Sequence, residues 1–184
     1  KGEKDAHYKS YFIVSRDSEL TKSDEFPMAA AGKRFAFGSQ SSTSGRLMPE
    51  FFIRQATGKT SDEFFGEVSY SGSHDNTITN VKDGNWDIGV VDFGVYDGRI
   101  ADGSLTADEC PVIWETPSYA DYQFTIRPDL DASLGMGIEQ ELAAALLEMP
   151  PELAQAFRRD KMVPAANEDF AGILDVALKL EMIK

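Results

Sequence analysis

Two short polar segments carry the residue types that could do chemistry in this chain. Ser42-Thr43-Ser44-Gly45 sets three hydroxyls side by side, and Ser71-Gly72-Ser73-His74-Asp75 places two serines beside an imidazole. Each lies between a predicted strand and a predicted helix. The first amides of a helix lack carbonyl partners and sit at the positive end of its dipole. Hydroxyls placed there form a cradle for a tetrahedral oxyanion without a full positive charge. His74, near the start of its helix, can donate a ring N–H to the same anion, with Ser73 beside it. A plainer reading stays open: one hydroxyl caps each helix, the others are loop polarity, and His74 is a solvated surface residue. Two such loops at the carboxyl ends of strands in one sheet favour a ligand, because open α/β sheets bind ligands there.

Other chemistries fail on spacing. Gly58-Lys59-Thr60 mimics the end of a phosphate-binding P-loop, but Ile53 stands where the earlier glycine is required and a helix precedes it. Asp129-Leu130-Asp131-Ala132-Ser133 opens like a calcium loop, yet its sixth position is Leu134 and its twelfth Gln140. A hydrolase acting on phosphate or carboxylate esters could use Ser44, His74 and either Asp92 or Asp121, although no Gly-x-Ser-x-Gly elbow is present. Asp92 and Asp121 otherwise read as loop or capping residues, either of which could accept a hydrogen bond from a protonated oxyanion. Only His7 and His74 are available as imidazole ligands, and Cys110 stands alone. No metal, no cofactor and no disulfide framework is expected. The run Trp114, Tyr119, Tyr122 and Phe124 lines a cleft or packs a core.

These loops need elements to hold them. Tyr8–Ser15 reads as a strand, Arg16–Glu25 as a loop with a short helix, and Arg34–Phe37 as a second strand closed by Gly38. The spacing predicts a helix over Leu47–Ala56, with Pro49 tolerated in its first turn. Glu67–Tyr70, Asp87–Val91, Val112–Glu115 and Tyr122–Arg127 are further predicted strands. Helices are predicted over Asn76–Asp83 and Phe93–Ala101, and over Pro151–Arg159. Ile138, Leu142, Ala145 and Met149 share one helical face. Phe170, Leu174, Ala177 and Leu178 share another, behind Asn167 as N-cap. Alternating strands and helices predict an α/β fold with a largely parallel sheet and a helical C-terminal tail.

The chain has 184 residues and a formal charge of −13, unevenly spread. Residues 1–100 hold 12 basic and 15 acidic side chains, net −3, and residues 101–184 are net −10. That balance argues against a nucleic-acid partner, which needs a basic face. No apolar run approaches the roughly 18 residues of a membrane span. The chain opens Lys1-Gly2-Glu3, where no signal peptide is legible.

Lys33-Arg34-Phe35-Ala36-Phe37-Gly38, Ser42–Pro49 and Ser71–Asp75 resemble the phosphate, phosphite and phosphonate substrate-binding proteins of bacterial ABC importers. Trp114–Tyr122 and Pro164–Phe170 extend the likeness over essentially the whole chain. Within that family the residues look most like a branch labelled as selenate binders. The resemblance implies a type II periplasmic-binding-protein fold, with two α/β lobes joined by crossing strands that close on the ligand. Residues 1–15 would then be the crossing strand entering lobe 2, and residues 16–113 lobe 2 with its mainly parallel sheet and oxyanion loops. Residues 114–184 would be the return strand and C-terminal helices of lobe 1. About the first third of a usual member has no counterpart, so a fragment that binds weakly by itself is expected.

The resemblance carries ligand contacts onto Ser42, Thr43, Ser44 and His74, and onto Asp121 for the ligand's other end. Ser73 and Asp92 are further candidates. The resemblance also implies a small unsubstituted oxyanion rather than an aminophosphonate, because family members that take aminophosphonates place a carboxylate shortly after the strand ending here at Val91, where this chain has Asp92-Phe93-Gly94-Val95. The expected protein is a monomeric, non-enzymatic receptor, periplasmic or lipid-anchored, that delivers its oxyanion to a membrane permease. The other classes carried forward are the Ser/His hydrolase and the ligand-sensing module of a regulator.

Overall fold

Near-continuous apolar runs build the central strands, and side chains two apart fall on one face. The computed structural model describes residues 6–157, 159–181 and 183. Its strands are β1 (His7–Tyr8), β2 (Ser10–Val14), β3 (Arg34–Phe37), β4 (Glu67–Tyr70), β5 (Ile88–Asp92), β6 (Val112–Glu115) and β7 (Tyr119–Ala120). The helices are α1 (Met48–Thr57), α2 (Ser61–Phe64), α3 (His74–Lys82), α4 (Phe93–Ala101), α5 (Leu130–Leu134), α6 (Ile138–Leu147), α7 (Pro151–Ala154) and α8 (Ala171–Lys179).

The chain divides into two units. The larger comprises Tyr8–Tyr119 and the segment from Gly172 on; the smaller comprises the segment ending at His7 and Ala120–Ala171. The larger holds a five-stranded sheet in the order β4-β3-β5-β2-β6. β3 runs parallel to both β4 and β5, and β2 runs antiparallel to β5 and β6. Four strands therefore share one direction and β2 opposes them, which gives two parallel and two antiparallel ladders. Phe12, Val14, Ile88 and Val90 bury on one face with Ile53 of α1 and Phe64 of α2. Ile13 and Val91 bury on the other with Ile78 and Val81 of α3, Tyr96 of α4 and Cys110. The Cys110 thiol is fully buried, its Sγ 3.7 Å from the Ile78 carbonyl oxygen, and burial pushes its pKa up to about 11. A third cluster joins Tyr8, Leu47, Met48 and Tyr119 to Val176 of α8. The last helix, grouped by the resemblance with lobe 1, thus packs within the larger unit.

In the smaller unit Asp131 accepts amide hydrogens from Gly137 (3.0 Å) and Glu139 (2.9 Å), which closes the entry to α6. The carboxylate at the third position of the rejected calcium motif is therefore spent on helix capping. Phe124 and Phe157 meet edge to face at 5.6 Å, yet each stays about half exposed.

Several expectations need correction. Tyr8–Ser15 is divided, with Tyr8 ending β1 and Ser10 beginning β2. Tyr122–Arg127 is not a strand: among the described residues it joins no ladder, and strand propensity alone does not make one. The Arg16–Glu25 segment holds no helix. Pro151–Arg159 is helical only to Ala154, followed by a 3-10 turn over Gln155–Phe157. At Asn167 the capping contact comes instead from Asp169, whose carboxylate accepts the Ala166 amide at 2.8 Å.

Candidate functional site

β3, β4 and β5 are parallel, so their carboxyl ends share one edge of the sheet. After β3 the chain turns through Gly38–Ser41 to Ser42, which is extended and whose Oγ accepts the Gly45 amide at 2.9 Å. A π-type turn over Thr43–Leu47 runs directly into α1. The Leu47 amide donates back to the Ser42 carbonyl at 3.0 Å, so Ser42 stands at the positive end of a continuous helical segment. Gly38 donates to the Gly45 carbonyl at 2.9 Å, tying the loop to the end of β3.

Gly45 is needed for that approach. A Cβ there would lie 2.9 Å from Ser42 Oγ, 3.1 Å from His74 Cε1 and 3.2 Å from the Gly38 Cα.

The second loop follows β4. Ser71 and Gly72 donate amide hydrogens to the Phe37 and Gly38 carbonyls, which seats it against the first loop. Ser73 caps α3, its Oγ accepting the Asn76 amide at 3.1 Å. His74 is the first residue of α3. Its Nδ1 accepts the Asp92 backbone N–H at 3.2 Å, and its Nε2 lies 3.3 Å from Ser44 Oγ.

This pairing selects the tautomer. An Nδ1 that accepts an amide hydrogen carries no proton, so neutral His74 bears its hydrogen on Nε2. Burial, the largest effect, lowers the His74 pKa below its ordinary value, while the Asp92 and Asp75 carboxylates oppose it. Nε2–H therefore donates towards Ser44 Oγ and leaves the Ser44 hydroxyl proton to donate elsewhere. A serine hydrolase needs the reverse, with an Nε2 lone pair facing the hydroxyl and Nδ1–H held by a carboxylate. The arrangement can donate hydrogen bonds to an anion; it is set up poorly to take a proton from Ser44.

The structure brings Ser42, Thr43, Ser44, Ser73, His74 and Asp92 together on the larger unit. The Asp92 carboxylate caps α4, with Oδ1 accepting the amides of Gly94 (2.9 Å) and Val95 (3.2 Å). Asp121 belongs to the smaller unit, where its Oδ1 accepts the Tyr122 amide at 2.8 Å and its Oδ2 pairs with Arg159. Two features were missed from sequence. One is the Asp92 amide that orients His74, which no side-chain pattern reveals. The other is Arg46, whose guanidinium lies 4.7 Å from the Phe37 ring centre, donates to Tyr70 Oη at 2.7 Å and meets buried Glu50 at 3.5 Å. Arginine directly after the hydroxyl cluster was the available signal. Among the described residues no group of three or more His, Cys, Asp or Glu could hold a metal ion, and no helix is long and apolar enough to cross a membrane.

Residues 1–170 match a family described as the periplasmic substrate-binding protein of ABC phosphonate transporters. A curated relative, the probable ABC transporter phosphite-binding protein PhnD1 of Prochlorococcus marinus strain MIT 9301, is 31% identical over 189 residues. The match covers 98% of this chain and 63% of that protein, so the chain spans under two thirds of the relative's length. The solved structure of PhnD1 from the same organism, in complex with methylphosphonate, superposes with a TM-score of 0.86 at 29% identity, covering 100% of this chain and 70% of that one. A binding protein component of an ABC phosphonate transporter from Pseudomonas aeruginosa shares the fold, with a TM-score of 0.70 at 15% identity over 95% of this chain and 58% of that one.

Proposed function

Because this chain belongs to the family of periplasmic substrate-binding proteins of ABC phosphonate transporters, we propose that it binds a small tetrahedral oxyanion for delivery to the membrane permease of an ABC importer. The ligand is of the phosphonate, phosphite or phosphate kind. The family is a transport component, not an enzyme. One observation carries the reading: the Asp92 amide fills His74 Nδ1, so that Nε2–H and the Ser44 hydroxyl are both donors. Ser42, Thr43 and Ser44 donate their hydroxyl protons to the ligand, and His74 shares its Nε2–H between Ser44 Oγ and the ligand. A cradle of donors suits a ligand whose exposed oxygens all accept, and exclusion of water strengthens each bond. The phosphite in the relative's name and the methylphosphonate in the similar structure fall in the same ligand class. The protein works outside the cytoplasmic membrane, periplasmic or lipid-anchored, as a monomer and without a nucleic-acid partner.

Isothermal titration of the full-length protein against phosphate, phosphite, methylphosphonate, sulfate and selenate tests this. At least one anion is expected to bind, and Ser44→Ala to weaken it by about tenfold, as loss of a charge-assisted hydrogen bond should. Turnover of a phosphate ester that Ser44→Ala abolishes would overturn the receptor in favour of the hydrolase. Asp121, expected to contact the ligand's other end, is tested in the same titration with Asp121→Asn, which should weaken binding.

A further inference from the structure

Ser10 begins β2, is fully buried, and is the one small polar residue in a strand otherwise made of Tyr11, Phe12, Ile13 and Val14. Its Oγ donates to the Ser44 carbonyl at 2.7 Å, and the same oxygen meets the Tyr119 hydroxyl. A serine hydroxyl has a single proton, and a carbonyl only accepts. The proton of Ser10 therefore goes to Ser44, and Tyr119 must donate to Ser10 Oγ. The Ser10 amide donates to Thr116 Oγ1 at 2.9 Å, which fixes the backbone from which the hydroxyl projects.

The peptide that accepts this bond passes it on. Gly45 N–H, on the other side of the Ser44–Gly45 peptide, donates to Ser42 Oγ at 2.9 Å. The Ser42 hydroxyl proton is the next donor in line. Every link points the same way, and hydrogen bonds in such a line polarise one another. Tyr119 is well placed to anchor the line. Its ring meets Tyr8 edge-on at 4.5 Å and shares a buried cluster with Leu47 and Met48, which directly follow the oxyanion loop.

We propose that Tyr119 and Ser10 are positioning residues for the oxyanion loop. Together with the Ser44–Gly45 peptide they form a buried relay that commits the Ser42 hydroxyl to donate outward to a tetrahedral oxyanion. The ligand-binding consequence rests on the receptor reading above; the relay itself does not.

Two readouts test the relay in the full-length protein, using Ser10→Ala, Tyr119→Phe and the double variant. The first is ligand-free: nuclear magnetic resonance of the Gly45 amide, with the Gly66 amide, bonded to the Lys33 carbonyl at the opposite end of the parallel strands, as reference. Both single variants are expected to shift the Gly45 nitrogen resonance and speed its hydrogen exchange by about threefold to tenfold, leaving Gly66 unchanged. The second is titration with methylphosphonate, where each single variant is expected to weaken binding by a similar factor. Because Tyr119 acts through Ser10, the double variant should bind no more weakly than Ser10→Ala alone. An unaltered Gly45 amide in both single variants, or effects that multiply in the double, would overturn the relay. If the unmodified protein bound no oxyanion the receptor reading would fail, and the Gly45 amide would still decide the relay.

Discussion

His74 owes its donor role to a backbone amide, and that dependence makes it sensitive to acid. Its pKa in the folded protein lies below the ordinary value, so on acidification the unfolded chain takes up this proton first. The stability that results is fully present above about pH 6.5 and drains away as pH falls through the lower folded value. Thermal unfolding from about pH 8 to about pH 5 should therefore show a steeper loss in the unmodified protein than in His74→Gln, which cannot titrate; equal slopes would count against it. Gly45→Ala tests the neighbouring contact. Its Cβ would press on Ser42 Oγ and His74 Cε1. Overpacking of this kind costs about 1–3 kcal/mol, and oxyanion affinity measured by titration should fall about tenfold. The hydroxyl cluster was legible in the sequence because it is dense and local. Ser10 and Tyr119 were not, since they stand 34 residues before Ser44 and 109 residues after Ser10 respectively and meet only through folding.

At the scale of elements, three parallel strand ends deliver two loops and a helix cap to one edge, and the caps decide how firmly. Asp92 ends β5, caps α4 and offers its amide to His74. Asp92→Ala keeps the amide and removes the cap, so urea unfolding should show a loss of about 1 kcal/mol. Oxyanion binding should change less than about threefold; a tenfold loss would instead add the carboxylate to the ligand contacts. Gly89 on β5 lets α3 lie close, for a Cβ there would come within 2.5 Å of Thr77 Cγ2 and 2.7 Å of Val81 Cγ2. β3, β4, β6 and α4 were legible to the residue, because aromatic or β-branched runs there end at loop residues or at the next cap. Tyr122–Arg127 has the same composition yet joins no ladder among the described residues, and composition cannot supply one. α2 was too short for a helical period to register, although Thr60 and Glu63 form a capping box around it.

For the molecule as a whole, the net charge of −13 opposes any anion approaching from a distance. Neutral donors act only at contact. Raising salt from about 0.01 M to about 0.15 M shortens the screening length from about 30 Å to about 8 Å. Oxyanion association followed by stopped flow should then become faster or stay level; a marked slowing would point to attraction by a basic patch. The charge asymmetry was legible in the sequence, whereas the division into two units rests on non-local packing. The smaller unit leaves Leu134 and Met136 largely uncovered, with Leu142 partly so. Cys110, by contrast, is sealed between the sheet and α3, and it is the chain's sole sulfhydryl. A thiol so protonated and so enclosed reacts only when that layer opens. The protein thus carries its own clock: the pace at which a disulfide reagent consumes one sulfur per molecule reports how often the central sheet breathes, with no label to be installed.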